Sequence, residues 1–235
     1  DALVAAANRW RLELKRHQSL MRALAEEEAR LQPLQARERS ASADAPRHAT
    51  LAVGHRSRPL RLERWIPQSP RADRTWVLMM PGLGGDPNHF HWLARSLMQA
   101  GWPVLVLEHP ASDAAAVQGL LEGRQSFDGA AALRDRLADL AAVLEAQQRG
   151  DLNIPGTEVV LMGHSLGALT ALLASGAELV PGMAQRCEAA LAGLPLTNLS
   201  ELLQCELAAG RVLESKAMDP PPRAVVGLNS FGGLI

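Results

Sequence analysis

The stretch that decides the fold runs from Val159 to Thr170 and reads Val-Val-Leu-Met-Gly-His-Ser-Leu-Gly-Ala-Leu-Thr. An apolar, β-branched run enters a G-x-S-x-G box, and a run rich in alanine and leucine leaves it. This order predicts a buried strand, a sharp turn and a helix, with a serine at the tip of the turn. Gly163 and Gly167 flank Ser165 at positions where such a turn leaves no room for a side chain.

The segments around this box alternate between apolar strands and helices. Strands are predicted at Thr75–Met80, Pro103–Leu107, Thr157–Met162 and Ala224–Asn229, and helices at Asn88–Ala100, Gly129–Arg149 and Leu166–Ser175. Apolar strands that alternate with helices predict a mostly parallel sheet with helices on both faces. Two further runs, Ala49–His55 and Leu60–Ile66, predict an antiparallel hairpin at the edge of that sheet.

The remaining segments set the domain organisation. Residues 1–32 predict one amphipathic helix, which a linker follows. We expect the helix to pack on its own domain or on a preceding part of the protein rather than form a coiled coil. The expected domains are therefore an N-terminal helix and linker at 1–48 and an α/β domain at 49–235, with an insert or cap at 177–222. The chain opens on Asp1 and ends at Ile235, just after a predicted core strand, so we expect a sheet truncated before its last strands.

Composition excludes several classes of function. The 235 residues are 47% hydrophobic and 21% charged, which is typical of a globular domain. A net charge of -1 without a basic stripe argues against nucleic acid as a partner. Glycines and polar residues interrupt the most apolar stretch, Val159 to Val180, so no membrane span is predicted. The pair His89 and His91 lacks a third ligand at suitable spacing, so no metal site is predicted.

The two cysteines, Cys187 and Cys205, fall in the same irregular region. Two thiols in a chain of this size are commonly free and buried, but a disulfide is possible in an exported protein. The sequence leaves both alternatives open, and it carries no signal for the oligomeric state.

A catalytic serine needs a general base and an oxyanion hole. A hydroxyl is a poor nucleophile unless a base takes its proton, and the oxyanion of the tetrahedral intermediate needs hydrogen-bond donors. The turn supplies one donor, the backbone N–H of Leu166, at the start of a helix. The loop Pro81-Gly82-Leu83-Gly84-Gly85 follows a predicted strand, and we expect the N–H of Leu83 to be the second donor.

Together these motifs resemble the α/β-hydrolase superfamily, over roughly residues 50 to 235. Within it the chain is similar to the dienelactone-hydrolase-like and platelet-activating-factor-acetylhydrolase-like branch, and most of all to uncharacterised cyanobacterial hydrolases with an N-terminal helical extension. The likeness is carried by residues 81–84, 107–113, 163–167 and 202–205. It implies that Ser165 is the nucleophile and that Leu83 and Leu166 supply the oxyanion hole, with no metal and no organic cofactor. Together with the cysteine pair, it slightly favours an exported or periplasmic protein over a cytoplasmic one.

Three departures separate the chain from that pattern. Pro81 stands where relatives usually have histidine, and Asn229 stands where they place the triad aspartate. No histidine follows Ser165, because all seven lie at or before His164. We therefore expect the chain to lack its triad acid and base, and to be inactive as it stands. His164 has a structural role in this interpretation, and His109 either lines the pocket or pairs with the backbone.

The sequence thus predicts a serine hydrolase that cleaves an ester, lactone or similar acyl bond of a small molecule through an acyl-Ser165 intermediate. The insert at 177–222 would select the acyl or alcohol group. Two alternatives stay open: a non-catalytic protein that binds a small molecule in the same pocket, and an acyltransferase.

Overall fold

The computed structural model describes residues 22, 45–124, 126, 128–178, 180, 182, 185, 187, 205, 207 and 217–230. The chain divides into two units, Asp1–Ala45 and Pro46–Ile235. In the first unit Arg22 is helical, and the rest of the predicted helix at 1–32 lies outside the described residues. The strands and helices below all belong to the second unit.

The second unit is built on one six-stranded sheet with the strand order β1-β2-β4-β3-β5-β6. The strands are β1 (Arg47–Leu51), β2 (Leu60–Trp65), β3 (Thr75–Met80), β4 (Val104–Glu108), β5 (Glu158–His164) and β6 (Ala224–Leu228). β1 and β2 pair antiparallel at one edge, β2 pairs antiparallel with β4, and all the other pairs are parallel. The mostly parallel sheet with an edge hairpin is therefore confirmed. β1 begins at Arg47, before the predicted start, and ends at Leu51.

Four helices connect or follow the strands: α1 (His91–Gln99), α2 (Ala114–Leu121), α3 (Gly129–Gln148) and α4 (Leu166–Ala174). A short 3₁₀ turn, Pro87–Phe90, precedes α1, so the predicted helix from Asn88 begins as a tighter turn. Helix α2 is absent from the prediction, although Asp113 caps its first turn by accepting from the N–H of Ala116. None of the helices in the described part of the chain is long and apolar enough to cross a lipid bilayer.

The two faces of the sheet bury separate apolar cores. Leu78, Leu105 and Leu161 pack against Leu140 and Val143 of α3, and α4 covers the same face. The opposite face carries the second core, which joins the sheet to α1 and consists of Trp65, Val77, Met79, Val104, Val106 and Ala94. The alternation of side chains along each strand places neighbouring residues in different cores. Helices therefore cover both faces, as the sequence predicts.

A disulfide joins Cys187 and Cys205 within the segment predicted as an insert, and it settles the alternative that the sequence left open. Both half-cystines are buried, and Cys205 lies two residues before Leu207. Leu207 is buried against Leu166, Leu169 and other apolar residues around α4. The bond therefore fixes a segment that packs on the helix after the G-x-S-x-G box. Most residues between 179 and 216 lie outside the described residues, and with them most of a helix that the sequence also predicts at Asn198–Ala209.

The first turn of α4 lies directly on the backbone of two strands. A Cβ added at Gly167 would lie 2.0 Å from the carbonyl oxygen of Met80, and one added at Gly163 would lie 2.2 Å from the carbonyl carbon of Gly167. These distances are far below van der Waals contact, and the atoms met are backbone atoms that cannot rotate away. Only glycine fits at either position.

Gly167→Ala should therefore destabilise the protein by about 3 kcal/mol or more, because relieving the overlap moves α4 off the end of β3. Urea unfolding compares it with Gly54→Ala, where an added Cβ meets no described atom within 4 Å. The control should change the free energy of unfolding by less than about 0.5 kcal/mol. Equal stabilities of the two variants would contradict the close approach.

Candidate active site

Ser165 lies at the tip of the turn between β5 and α4, in a backbone conformation that few side chains adopt. Its φ is 52° and its ψ is −116°. Two hydrogen bonds hold it there: its N–H donates to the carbonyl of Leu228 at 2.9 Å, and its own carbonyl accepts from Leu169 at 3.1 Å. The hydroxyl does not cap α4, although Ser165 occupies the N-cap position. The strained turn thus presents a serine whose side chain is not used by the helix.

Leu166 is the first residue of α4 and is fully buried. The N–H groups of the first turn of a helix have no acceptor within the helix. They also carry the positive end of the helix dipole. The N–H of Leu166 is therefore suited to stabilising negative charge beside Ser165.

The glycine loop that follows β3 is held by backbone hydrogen bonds. The N–H of Gly84 donates to the carbonyl of Ser112 at 2.8 Å, and the N–H of Gly85 donates to the carbonyl of Gly82 at 3.2 Å. Gly84 has a φ of +69°, a conformation that glycine adopts without strain. These bonds occupy the N–H groups of Gly84 and Gly85, whereas no backbone hydrogen bond among the described residues uses the N–H of Leu83.

Gly82 brings this loop against the serine. A Cβ added at Gly82 would lie 3.0 Å from Cβ of Ser165 and 3.2 Å from Nδ1 of His164. Leu83 and Leu166 contribute to the same apolar cluster. The structure therefore brings together Ser165, Leu83 and Leu166, the three site residues that the sequence singles out.

A buried arginine of α3, Arg136, lies beside these residues and is missed by the sequence analysis. Its guanidinium donates to the carbonyl of Pro81, to Oγ of Ser112 at 2.8 Å and to Oγ1 of Thr170 at 3.3 Å. Burial lowers its pKa to about 9, so it is protonated at neutral pH. The sequence signal for Arg136 was its spacing, because it lies on the same helix face as the apolar residues Leu133 and Leu140. A charged side chain on such a face is buried only when it is paired with other polar groups.

One turn further along α3, Asp139 is the centre of a second buried polar cluster. Its carboxylate accepts from Nε and Nη2 of Arg56 at 2.9 and 2.6 Å, and it contacts His55 at 2.7 Å and His109 at 2.9 Å. Burial opposes its charge, but the bonds from His109 and Arg56 outweigh burial and hold the pKa of Asp139 well below its usual range. This cluster ties the hairpin loop between β1 and β2 to α3.

His109 has neither of the roles that the sequence suggests. It is only 2% exposed, so it does not line an open pocket, and its Nδ1 bonds the carboxylate of Asp139 rather than the backbone. Burial and the nearby charge of Arg136 lower its pKa to about 3. The ring is therefore neutral at physiological pH, with its Nδ1–H donated to Asp139.

His91 and His164 contact other side chains. Nε2 of His91 lies 2.7 Å from Glu63, and its ring meets Trp65 edge-on at 5.1 Å. The ring of His164 lies 6.2 Å from that of Phe90. Within the described ranges, no three residues of the metal-ligating types are grouped to hold a metal ion. The structure places none of the described histidines in a hydrogen bond with Ser165.

Two cavities border the sheet, and their positions differ. A cavity of about 670 Å³ is lined by Gly85 and Asp86 at the end of the glycine loop, by Glu108 at the end of β4, by Asp113 and by the edge hairpin. A larger cavity, of about 1150 Å³, lies between α3 and the start of β5, at the amino ends of the strands and away from Ser165. Ligands of parallel sheets bind beyond the carboxyl ends of the strands. The smaller cavity lies at that end of the sheet, beside the glycine loop, but Ser165, Leu83 and Leu166 line neither cavity.

The sheet order, the serine turn after β5 and the glycine loop after β3 are together the arrangement of the α/β-hydrolase fold, in which the residue after the serine and the loop after β3 face each other. No family model matches the sequence, and no curated protein matches it.

Solved structures similar to this chain include several esterases. A ferulic acid esterase from Streptomyces cinnamoneus is 17% identical with a TM-score of 0.44, over 55% of this chain and 54% of that one. Est1E from Butyrivibrio proteoclasticus is 16% identical with a TM-score of 0.40, over 55% and 44%. Esterase 2 from Thermogutta terrifontis in its apo form is 19% identical with a TM-score of 0.41, over 58% and 47%.

The matched region is about half the length of each of these proteins. At such identities and TM-scores the likeness does not bear on the chemistry, which has to be argued from the residues of the site itself.

The burial of His109 predicts that the stability of the protein depends on pH. Its pKa is about 3 in the folded chain and 6.5 unfolded, so between these values the unfolded chain binds the proton and the folded chain does not. Stability must then fall as pH drops below 6.5. From pH 7 to pH 5 this group alone should remove about 2 kcal/mol, since each full unit is worth about 1.4 kcal/mol.

His109→Asn keeps an N–H donor for Asp139 and removes the titration. Urea unfolding at pH 7 and pH 5 should show a smaller loss for the variant than for the wild type. Parallel losses in the two proteins would show that His109 does not carry this pH dependence.

Proposed function

We propose that this protein is a serine hydrolase that cleaves an ester, lactone or similar acyl bond of a small molecule, with Ser165 as the nucleophile. The observation that carries the proposal is the conformation of Ser165. A non-glycine residue with a φ of 52° is strained, and its hydroxyl makes no capping bond to the helix it precedes. Such strain is maintained where it presents a reactive group.

The reaction proceeds in two steps. Oγ of Ser165 attacks the carbonyl carbon while a general base accepts the hydroxyl proton. The tetrahedral oxyanion accepts hydrogen bonds from the N–H groups of Leu166 and Leu83. The bond to the leaving group breaks, and the leaving oxygen takes the proton, which forms acyl-Ser165. Water then attacks this ester in the same way and releases the acid. The base is not assigned to a described residue.

Apolar surroundings favour an uncharged acyl group. Leu83, Leu166, Leu169 and Leu207 belong to one cluster, and Leu207 is contributed by the insert. In this proposal the insert at 177–222 supplies part of the wall that selects the substrate. Neither a metal ion nor an organic cofactor is needed for the chemistry, because the helix terminus and the glycine loop stabilise the charge.

The test is covalent labelling of the full-length protein with a fluorophosphonate probe, followed by mapping of the labelled peptide. We expect label on Ser165, and none in Ser165→Ala. With p-nitrophenyl esters of increasing acyl length, Ser165→Ala should lower kcat by about 10⁴-fold or more.

Ser175→Ala is the matched control, because Ser175 lies at the other end of α4 and bonds the carbonyl of Leu172. It should keep both labelling and turnover. A folded wild type that neither takes the label nor turns over any ester would instead support a non-catalytic protein that binds a small molecule. Transfer of the acyl group to added alcohols in preference to water would identify an acyltransferase.

A further inference from the structure

A single buried side chain touches both segments that the proposed function assigns to the oxyanion hole. Arg136 lies in the middle of α3 and is 1% exposed. Its Nη2 donates to the carbonyl of Pro81, its Nη1 to Oγ of Ser112 at 2.8 Å and its Nε to Oγ1 of Thr170 at 3.3 Å. Three nitrogens of one planar group therefore bind three different segments of the chain.

On the loop side, these bonds lie on both sides of Leu83. The carbonyl of Pro81 precedes Leu83 and is bound by Arg136 directly. Gly84 follows Leu83, and its N–H donates to the carbonyl of Ser112, whose hydroxyl Arg136 binds. The residues on both sides of Leu83 are thus held by hydrogen bonds that involve Arg136, directly at Pro81 and through Ser112 at Gly84.

On the helix side, Thr170 connects Arg136 to the first turn of α4. Its hydroxyl donates to the carbonyl of Leu166 at 2.8 Å and accepts from Nε of Arg136. Because Arg136 can only donate, the hydroxyl hydrogen of Thr170 is directed at Leu166. The residue that supplies the other proposed oxyanion donor is therefore held through the same side chain.

The partners of Arg136 differ from those of an ordinary buried ion pair. Its three hydrogen-bond acceptors in the described part of the chain are neutral oxygens, whereas Arg56 bonds the carboxylates of Asp139 and Asp135. A buried cation whose hydrogen bonds go to neutral groups is costly for stability, and the charge of Asp139 one turn away offsets part of that cost. It leaves positive charge behind the loop and the helix terminus, where a negative charge develops in the reaction.

We propose that Arg136 is a positioning residue that aligns the two halves of the oxyanion hole, the loop of residues 81–85 and the first turn of α4. Its catalytic meaning rests on the function proposed above, but the alignment of the loop is a separate property and can be measured separately.

Two matched substitutions test this. Arg136→Lys keeps the charge but replaces the planar fork with a single ammonium that cannot bind Pro81, Ser112 and Thr170 together. Arg56→Lys makes the same change at another arginine that contacts α3, where the ammonium can still pair with Asp139. Both variants are expected to lose thermal stability, so stability alone does not separate them.

Turnover separates them. Arg136→Lys should lower kcat for an activated ester by about 10²-fold, the size typical of one lost oxyanion donor, with KM changed by less than about threefold. Arg56→Lys should keep kcat within about twofold of the wild type. A boronic acid, which mimics the tetrahedral intermediate, should lose affinity for Arg136→Lys in parallel with kcat/KM.

Thr170→Val gives a second variant in case Arg136→Lys does not fold. It preserves shape and removes the hydroxyl between Arg136 and Leu166, and we expect kcat to fall by about tenfold. The proposal is overturned if kcat is unchanged in the Arg136 and Thr170 variants, if Arg56→Lys shows the same loss, or if the loss lies in KM alone.

Backbone amide exchange of the peptide that contains residues 81–85 measures the alignment without catalysis. Exchange should be faster in Arg136→Lys and unchanged in Arg56→Lys. If the wild type lacks esterase activity, the proposed function fails, but this measurement still tests the alignment. If exchange is equal in the two variants, the alignment fails, but the assignment of Ser165 as nucleophile is unaffected.

Discussion

The close contact between the first turn of α4 and the end of β3 is the constraint on which the rest of the structure depends. No side chain fits between Gly167 and the carbonyl of Met80, so the helix terminus and the strand end are fixed within van der Waals distance. This contact places Ser165 beside the loop that leaves β3. The strand order follows from the same geometry, because β5 must pair directly with β3 to bring the two ends together.

Helix α3 supplies the second condition, which is electrostatic. Arg136 and Asp139 lie one turn apart on its buried side, and neither is exposed by more than 1%. Each would be strongly unfavourable if it were left unbound. Asp139 is satisfied by Arg56, His55 and His109, and Arg136 by three oxygens around the serine turn. The helix therefore joins the edge hairpin on one side to the candidate site on the other.

The elements that the sequence predicts are those whose signals are local. The G-x-S-x-G box, the apolar strands and the glycine loop reflect backbone requirements of their own residues, and the structure brings Ser165, Leu83 and Leu166 close together. The partners of Arg136 and Asp139 are dozens of residues away in the chain, so no spacing rule reveals them. His109 was misjudged for the same reason, since its partner lies on a helix that the sequence could not place beside it.

Helix α2 was missed for a different reason. Its residues, Ala114 to Leu121, form a short apolar run with a weak amphipathic pattern, and the capping carboxylate of Asp113 was the main indication. A single cap is a modest signal when the helix has only two turns. The disulfide also depended on tertiary placement, since two cysteines in one irregular region are compatible with bridging and with separation.

The distribution of charge within α3 is consistent with the chemistry proposed for Ser165. An oxyanion is stabilised by donors and positive charge, and a carboxylate nearby would oppose it unless the carboxylate were neutralised. The residue that faces the loop and the serine helix is a cation bound to neutral oxygens. The carboxylate lies one turn away, where Arg56 balances it. If the two charges were exchanged along the helix, the same number of buried ionic groups would remain, but the negative one would lie behind the oxyanion hole. The exchange would also set a carboxylate against the carbonyl oxygen of Pro81 and a guanidinium against Arg56, so the hydrogen-bond partners and the chemistry proposed for Ser165 favour the same arrangement.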